Sequence, residues 1–203
     1  RPAPETRARI VRTTDEPIER WTDDLLVPRG EVGEITVRGP AVTPAYWARE
    51  AQTRAAKIRD GEAIVHRMGD LGWEDEQGRI WMCGRKSHRV ETAAGTLHPV
   101  MVEEILNTHP RVHRTALVGV GPIGAQTPVV WIEAEPGAST HGLVEEVRAL
   151  AARHARTACI HHFLLHPGPF PVDVRHNAKI EREKLAALAA KRLGADGSDR
   201  RDG

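Results

Sequence analysis

Alternating apolar and polar positions dominate the front of the chain. RARIVR, 7–12, follows the two-residue period of a strand. GEVGEITVRG, 30–39, is the strongest strand signal: glycines bound the run, and Ile35 and Val37 are expected to share a face. WTDDLLVPRG ends in a turn, AREAQTRAAKI predicts a short helix over 48–58, and 62–68 predicts another strand. GDLGWEDEQGRIWMCGR predicts a hairpin of strands 71–74 and 79–83 around Glu76-Gln77-Gly78, a turn longer than the two-residue ideal.

The period changes after Arg85. PVMVEEILNTHP, 99–110, opens and closes on Pro as a helix should, with Val102, Ile105 and Leu106 as its apolar stripe. RTALVGVG, 114–121, and PVVWIEAEPG, 128–137, read as buried strands. HGLVEEVRALAARHAR, 141–156, repeats Leu143, Val147, Leu150 and Ala151 at helical spacing. IHHFLLHP, 160–167, predicts a strand and IEREKLAALAAKRL, 180–193, a second amphipathic helix. The polar tail, 194–203, is expected to be disordered. The alternation after Arg85 predicts a compact α+β unit over 86–193, whereas strand-rich 1–85 does not close a convincing domain alone. No repeat is visible.

A length of 203 residues allows one large domain or two small ones. Hydrophobic residues make up 40% and aromatics only 4%, so cores must rest on Val, Ile, Leu and Ala. The net charge of +1 gives no broad field to steer a nucleic acid. The irregular Trp spacing offers no stacking track for bases, and Trp47, Trp73 and Trp81 are expected in a core or cleft. Cys83 and Cys159, the only cysteines, form no zinc-type cluster. A reducing, cytoplasmic setting is the simpler reading, although a bridge between the two stays open. No apolar run is long enough for a membrane span, and RPAPETRARI lacks the apolar core of a secretion signal. It also lacks an initiating Met, so the chain is expected to begin inside a longer protein.

Few positions suggest chemistry. Asp70, after Gly69 at the mouth of the expected hairpin, fits either a carboxylate accepting a ribose diol or a turn cap. Arg85 and Lys86 lie where the pattern changes: a donor fork for a hydroxyl pair or phosphate, or a solvated charge pair. Ser87 suits a joint between rigid units, or is an ordinary loop serine. Lys179, one of only five lysines, sits at the lip of the last helix, where it would reach a transferring phosphoryl group or lie on the surface. His176 and Asn177 flank it. Eleven histidines invite a metal reading. His161 and His162 point to opposite strand faces, however, and His162 and His166 lie too far apart to clasp one ion, so no metal site is expected. VGVGPIGAQ, 118–126, is not a dinucleotide loop, because Pro122 and Pro128 mark it as a connection between strands.

GEVGEITVRGPAVTPAYW, HRMGDLGWEDEQGRIWMCGRKSHRV, HPVMVEEILNTHPRV and HNAKIEREKL, in that order, resemble the adenylate-forming superfamily of acyl-CoA synthetases, carrier-loading adenylation domains and luciferases. The likeness covers nearly the whole chain except the tail. PVDVRHNAKI tilts it toward the β-lactone-forming branch of olefin biosynthesis. The resemblance implies an α+β fold: 1–85 as the strand-rich end of a large N-terminal adenylating domain, 86–193 as a small mobile C-terminal domain, and 194–203 as a tail. It places Asp70 and Arg85 at the ATP ribose, the hinge at Ser87 with Lys86 beside it, a structural acid at Glu103 and the adenylation lysine at Lys179, with His176 and Asn177 close behind.

There are departures. The Thr-Gly-Asp of many relatives is here Arg67-Met68-Gly69-Asp70, Ala178 replaces the usual Gly, and the hinge loop VETAAGTLHP is one residue longer before Gly95. These changes bear on a coenzyme A half-reaction. The family's phosphate loop, adenine motif and acyl pocket would all lie upstream of Arg1, along with most Mg2+ contacts. The implied reaction is ATP-dependent activation of a long-chain 3-hydroxy acid and closure to a β-lactone, and the implied partners are other enzymes of olefin or lipid biosynthesis. A fatty acyl-CoA synthetase or carrier-loading enzyme is the alternative. A non-enzymatic binding module is a third reading.

Overall fold

The structure is a computed structural model that describes residues 5–173 and 179–198, with side chains described through 194. It divides into two compact units, Arg1–Ser87 and His88–Gly203. Mixed sheets and helices give an α+β fold.

The first unit is one antiparallel sheet built from β1 (Arg7–Val11), β2 (Gly33–Arg38), β3 (Lys57–Asp60), β4 (Ala63–Glu74) and β5 (Ile80–Arg85). The order is β1-β2-β4-β3, with β5 also on β4. β4 is 12 residues long, and it pairs with β3 through Ala63–His66 and with β5 through Asp70–Glu74. The two strands expected at 62–68 and 71–74 are therefore one. Gly69 interrupts its pleat with φ +69°, a left-handed turn that costs glycine little. α1 (Glu50–Ala56) ends two residues before its expected end. Lys57 pairs with His66 and Ile58 is fully buried, so strand pairing overrides the helical pattern.

The buried face of β2 corrects the sequence pattern. Glu34 and Thr36 are each 1% exposed, while Ile35 and Val37 are only half-buried. Thr36 donates its hydroxyl to the Arg9 carbonyl at 3.0 Å, and Glu34 is held by an arginine described below. Trp47 also departs from expectation: it is 96% exposed rather than packed in a core or cleft.

The second unit starts with the hairpin of β6 (Val90–Thr92) and β7 (Gly95–Leu97), inside the expected hinge loop. α2 (Pro99–Leu106) follows, then β8 (Val112–Val120), β9 (Thr127–Ala134), α3 (Leu143–Ala152) and β10 (His162–Leu165). β8 and β10 flank β9, antiparallel and parallel respectively. Both faces of this sheet are covered. Leu117, Val130 and Ile132 face a core containing Val102 and Leu106 of α2 and Leu143 and Val147 of α3. Ala116, Val118, Val129 and Trp131 face a second core with Leu185 and Ala189 of α4 (Arg182–Ser198). Strands buried on both sides read as continuous apolar runs, which is why TALV and PVVWI lack alternation. Trp131, 1% exposed, donates its indole N–H to the Leu185 carbonyl at 2.9 Å and pins α4. α4 runs five residues beyond its expected end at 193, so the tail expected over 194–203 is helical through Ser198; the rest lies outside the described residues. Among the described residues no helix is long and apolar enough to cross a membrane. Cys83 and Cys159 are both free.

His98 precedes α2 with its Nδ1 buried and lacking a hydrogen-bond partner among the described residues. Burial, and then the Arg89 charge, hold its pKa below the ordinary histidine value. The unfolded chain then binds a proton that the folded form resists, so stability should fall as pH drops below about 6.5. Urea midpoints of His98→Gln should fall less between pH 7 and 5 than those of the parent chain. Identical slopes would exclude His98 as a contributor.

Candidate functional site

Asp70 sits at the mouth of the β4–β5 hairpin, at the pair farthest from its turn. It lies within β4, directly opposite Arg85 at the end of β5. A register shift between Leu71 and Gly72 sets this pairing, and β5 comes so close that a Cβ on Gly72 would lie 2.7 Å from the Trp81 carbonyl oxygen. The Asp70 Oδ1 is 3.1 Å from an Arg85 terminal nitrogen, with Asp70 mostly buried and Arg85 half-exposed. The pair is close but not aligned as a hydrogen bond, so Oδ1, shielded from water, has no donor among the described residues. Burying such an acceptor unsatisfied is costly. A hydroxyl could donate to Oδ1 and accept from Arg85, so the arrangement fits one edge of a vicinal diol. The turn-cap reading of Asp70 does not hold, because Asp75 caps this hairpin. Its carboxylate accepts the Gln77 and Arg79 N–H groups at 3.0 and 2.8 Å and the Trp81 indole N–H at 2.8 Å. Those bonds and the Arg79 charge overcome burial and hold its pKa well below the usual carboxylate range.

Lys86 is not a solvated partner of Arg85. Its ammonium donates to the Thr14 carbonyl at 2.9 Å and to Glu34 at 3.3 Å. Glu34 also receives two bonds from Arg67, at 3.0 and 2.6 Å, and both side chains are almost wholly buried. The remaining Arg67 donors reach the carbonyls of Thr14, Glu16 and Ala55. One buried carboxylate thus ties the 14–16 loop, the end of α1 and Lys86 to the sheet. Lys86 belongs firmly to the first unit, and Ser87 is that unit's last residue.

In the second unit Lys179 is exposed. It lies not on the helix lip but in a two-residue strand, β12 (Lys179–Ile180), paired with β11 (Val172–Asp173) so that Lys179 faces Asp173 across the ladder. Three residues on, Arg182 opens α4 and grips Glu103 of α2 with two bonds of 2.5 and 2.9 Å. Glu103 also accepts the Leu117 N–H at 2.8 Å, and Arg182 donates to the Leu117 carbonyl at 3.0 Å. The strand carrying Lys179 therefore leads straight into a clamp on the central sheet. His176 and Asn177 lie outside the described residues.

The chain is 53% identical over 190 residues to an olefin beta-lactone synthetase of Xanthomonas campestris, covering 90% of this chain and 34% of that protein. It is 52% identical over 191 residues to an olefin beta-lactone synthetase of Stenotrophomonas maltophilia, covering 91% and 34%. A benzoate CoA ligase from Burkholderia xenovorans superposes with a TM-score of 0.70 at 25% identity, over 92% of this chain and 34% of the ligase. The chain belongs to the adenylate-forming superfamily. No family model matches it. It spans about a third of the length of the curated relatives that it matches.

Three side chains that organise the site carry no motif of their own in the sequence. The sequence singles out neither Glu34 nor Arg182, and marks Arg67 only as a departure from Thr-Gly-Asp. A faint signal existed for Glu34, which sits between glycine and two β-branched residues in a strand bounded by glycines. Nothing local marked its partner 33 residues away. Glu34→Ala would leave the buried Arg67 without its carboxylate and should cost about 3–5 kcal/mol of unfolding free energy. Urea denaturation measures this, and a cost below about 1 kcal/mol would contradict the proposed organisation.

Proposed function

We propose that this chain is part of an enzyme that activates a long-chain 3-hydroxy acid with ATP and closes the acyl-adenylate to a β-lactone, releasing pyrophosphate and then AMP. One observation carries the reading. In a chain more than half identical over about 190 residues to two olefin beta-lactone synthetases, one Asp70 carboxylate oxygen lies buried beside Arg85 without an aligned donor among the described residues, the arrangement a ribose diol would complete.

On this reading Arg1–Ser87 is the end of a large adenylating domain and His88–Gly203 a small mobile one. Lys86, anchored by Glu34, is the fixed edge of the hinge, and rotation begins at Ser87. Asp70 and Arg85 hold the ribose. The exposed Lys179 ammonium meets the nucleotide as the substrate carboxylate attacks the α-phosphorus, neutralising charge between carboxylate and phosphate. Pyrophosphate leaves. The 3-hydroxyl oxygen of the same acyl chain then attacks the activated carbonyl, the bond to AMP breaks and the hydroxyl proton is lost. Intramolecular attack needs no carrier thiol and gains from enforced proximity. His176 is a candidate to take that proton. Among the described residues no group of three or more His, Cys, Asp or Glu side chains could hold a metal ion, so no residue of this chain is assigned to Mg2+.

The test uses the longer enzyme containing this chain, a long-chain 3-hydroxy acid, Mg-ATP and no coenzyme A. Lactone and AMP should form together. AMP release that requires coenzyme A or a carrier thiol would instead mark an acyl-CoA synthetase or carrier-loading enzyme. In the same enzyme Lys179→Ala should slow pyrophosphate release by about 10²–10³-fold while added acyl-adenylate is still converted. Unchanged pyrophosphate release would remove Lys179 from this role.

A further inference from the structure

The first unit also carries a half-open pocket of about 340 Å³, lined by neither Asp70 nor Arg85 but by Val37, Thr43, Lys57 and His66 and, at its exposed rim, Tyr46 and Met68, among others. The proposed reaction does not use it. Lys57 is 9% exposed, among the most buried charged groups in the unit. No carboxylate lies within ion-pair distance of it among the described residues. Its ammonium makes one long hydrogen bond, 3.4 Å to the Thr43 hydroxyl, and lies 5.2 Å from the centre of the Tyr46 ring. A buried cation normally has a carboxylate or several carbonyls about it, as Arg67 does. Burial lowers the Lys57 pKa, as expected of an amine short of compensating charge.

The rest of the wall narrows what would supply that charge. His66 stands opposite Lys57 in the β3–β4 register, and its Nδ1 is 3.1 Å from the Ala56 carbonyl, to which it must donate. Burial keeps its pKa low, so this ring adds no second positive charge. The Tyr46 ring meets the His66 ring edge-on at 6.3 Å, and Val37 and Met68 add aliphatic surface. One ammonium, one hydroxyl and largely apolar walls suit a singly charged anion with an apolar body. They suit a phosphate poorly, because its two charges would lose their hydration to a single donor group. The volume is at the lower end for small-molecule sites, which span about 300–1,000 Å³.

We propose that this cavity binds a short aliphatic monocarboxylate, whose carboxylate pairs with the Lys57 ammonium and the Thr43 hydroxyl while its chain packs on Tyr46, Val37 and Met68. The site is separate from the Asp70–Arg85 pair and does not depend on the reaction proposed above.

Calorimetric titration of the longer enzyme containing this chain, and of its Lys57→Met variant, with hexanoate against hexan-1-ol and hexylamine tests this. Hexanoate should bind saturably in about the millimolar range, as expected for so small a ligand, and the two controls should bind at least about tenfold more weakly. Lys57→Met keeps the stem's shape without the charge and should weaken hexanoate binding by about tenfold or more. The proposal fails if hexanol binds as tightly as hexanoate, if the folded Lys57→Met enzyme keeps the parent affinity, or if the parent shows no saturable hexanoate binding. The alcohol control is read on the parent enzyme and decides the matter even if the variant misfolds.

Discussion

An ionised side chain taken out of water must find its counter-charge inside the protein, and this requirement organises the first unit. Glu34 is buried in the sheet and, among the described residues, is met by Arg67 and Lys86. To meet it, Arg67 must lie across the sheet and spend its remaining donors on carbonyls of two separate segments. Loops with little apolar surface of their own are thereby fixed to the strands. The register of β4 and β5 rests on the same sheet, and with it the pairing of Asp70 and Arg85. A hydrophobic pair in place of Glu34 and Arg67 would be no less stable in principle. It could not hold the loop carbonyls or the last residues before His88.

The second unit solves a similar problem around Glu103, but there the buried acid joins helix to helix through a sheet. α2 carries the acid, α4 the arginine, and the Leu117 peptide group between them contributes both its N–H and its carbonyl. With a core on each face, the sheet is a rigid platform. An exposed amine on a two-residue strand is thus tied, three residues on, to the central sheet through Arg182. The role proposed for Lys179 would draw on this combination of a free tip and a fixed root.

The contrast between Lys57 and these two networks is informative. Arg67 and Arg182 have carboxylates as counter-charges, whereas Lys57 has a hydroxyl and a ring face. Among the described residues the other buried charges, Glu133 with Arg114 and Asp75 with Arg79 included, have a charged partner, whereas Lys57 at the pocket wall is met only weakly. Weakly met polar groups are where ligands are bound, and Asp70 Oδ1 is the same kind of position with the opposite sign.

Strand and helix placement was largely legible because burial on one or both faces leaves a period in the residues. Residues 7–12, 114–121 and 128–137 became β1, β8 and β9 with ends moved by a few positions. The family was legible too, since GDLGWEDEQGR and NAKIEREKL are contiguous runs. What the residues could not disclose depended on distant partners. β3 exists because His66 and Val65 offer it an edge, not because KIRD prefers a strand. The polar face of β2 is its buried one because an arginine 33 positions away turns inward. Glu103 and Arg182 meet across 79 positions, and β5 brings Arg85 close to Asp70 Oδ1 without giving it an aligned donor among the described residues. Periodicity and motifs report what each residue is next to along the chain. Whether a buried charge is paired, shared or left short is decided by which segments fold against it, and only the assembled structure contains that information.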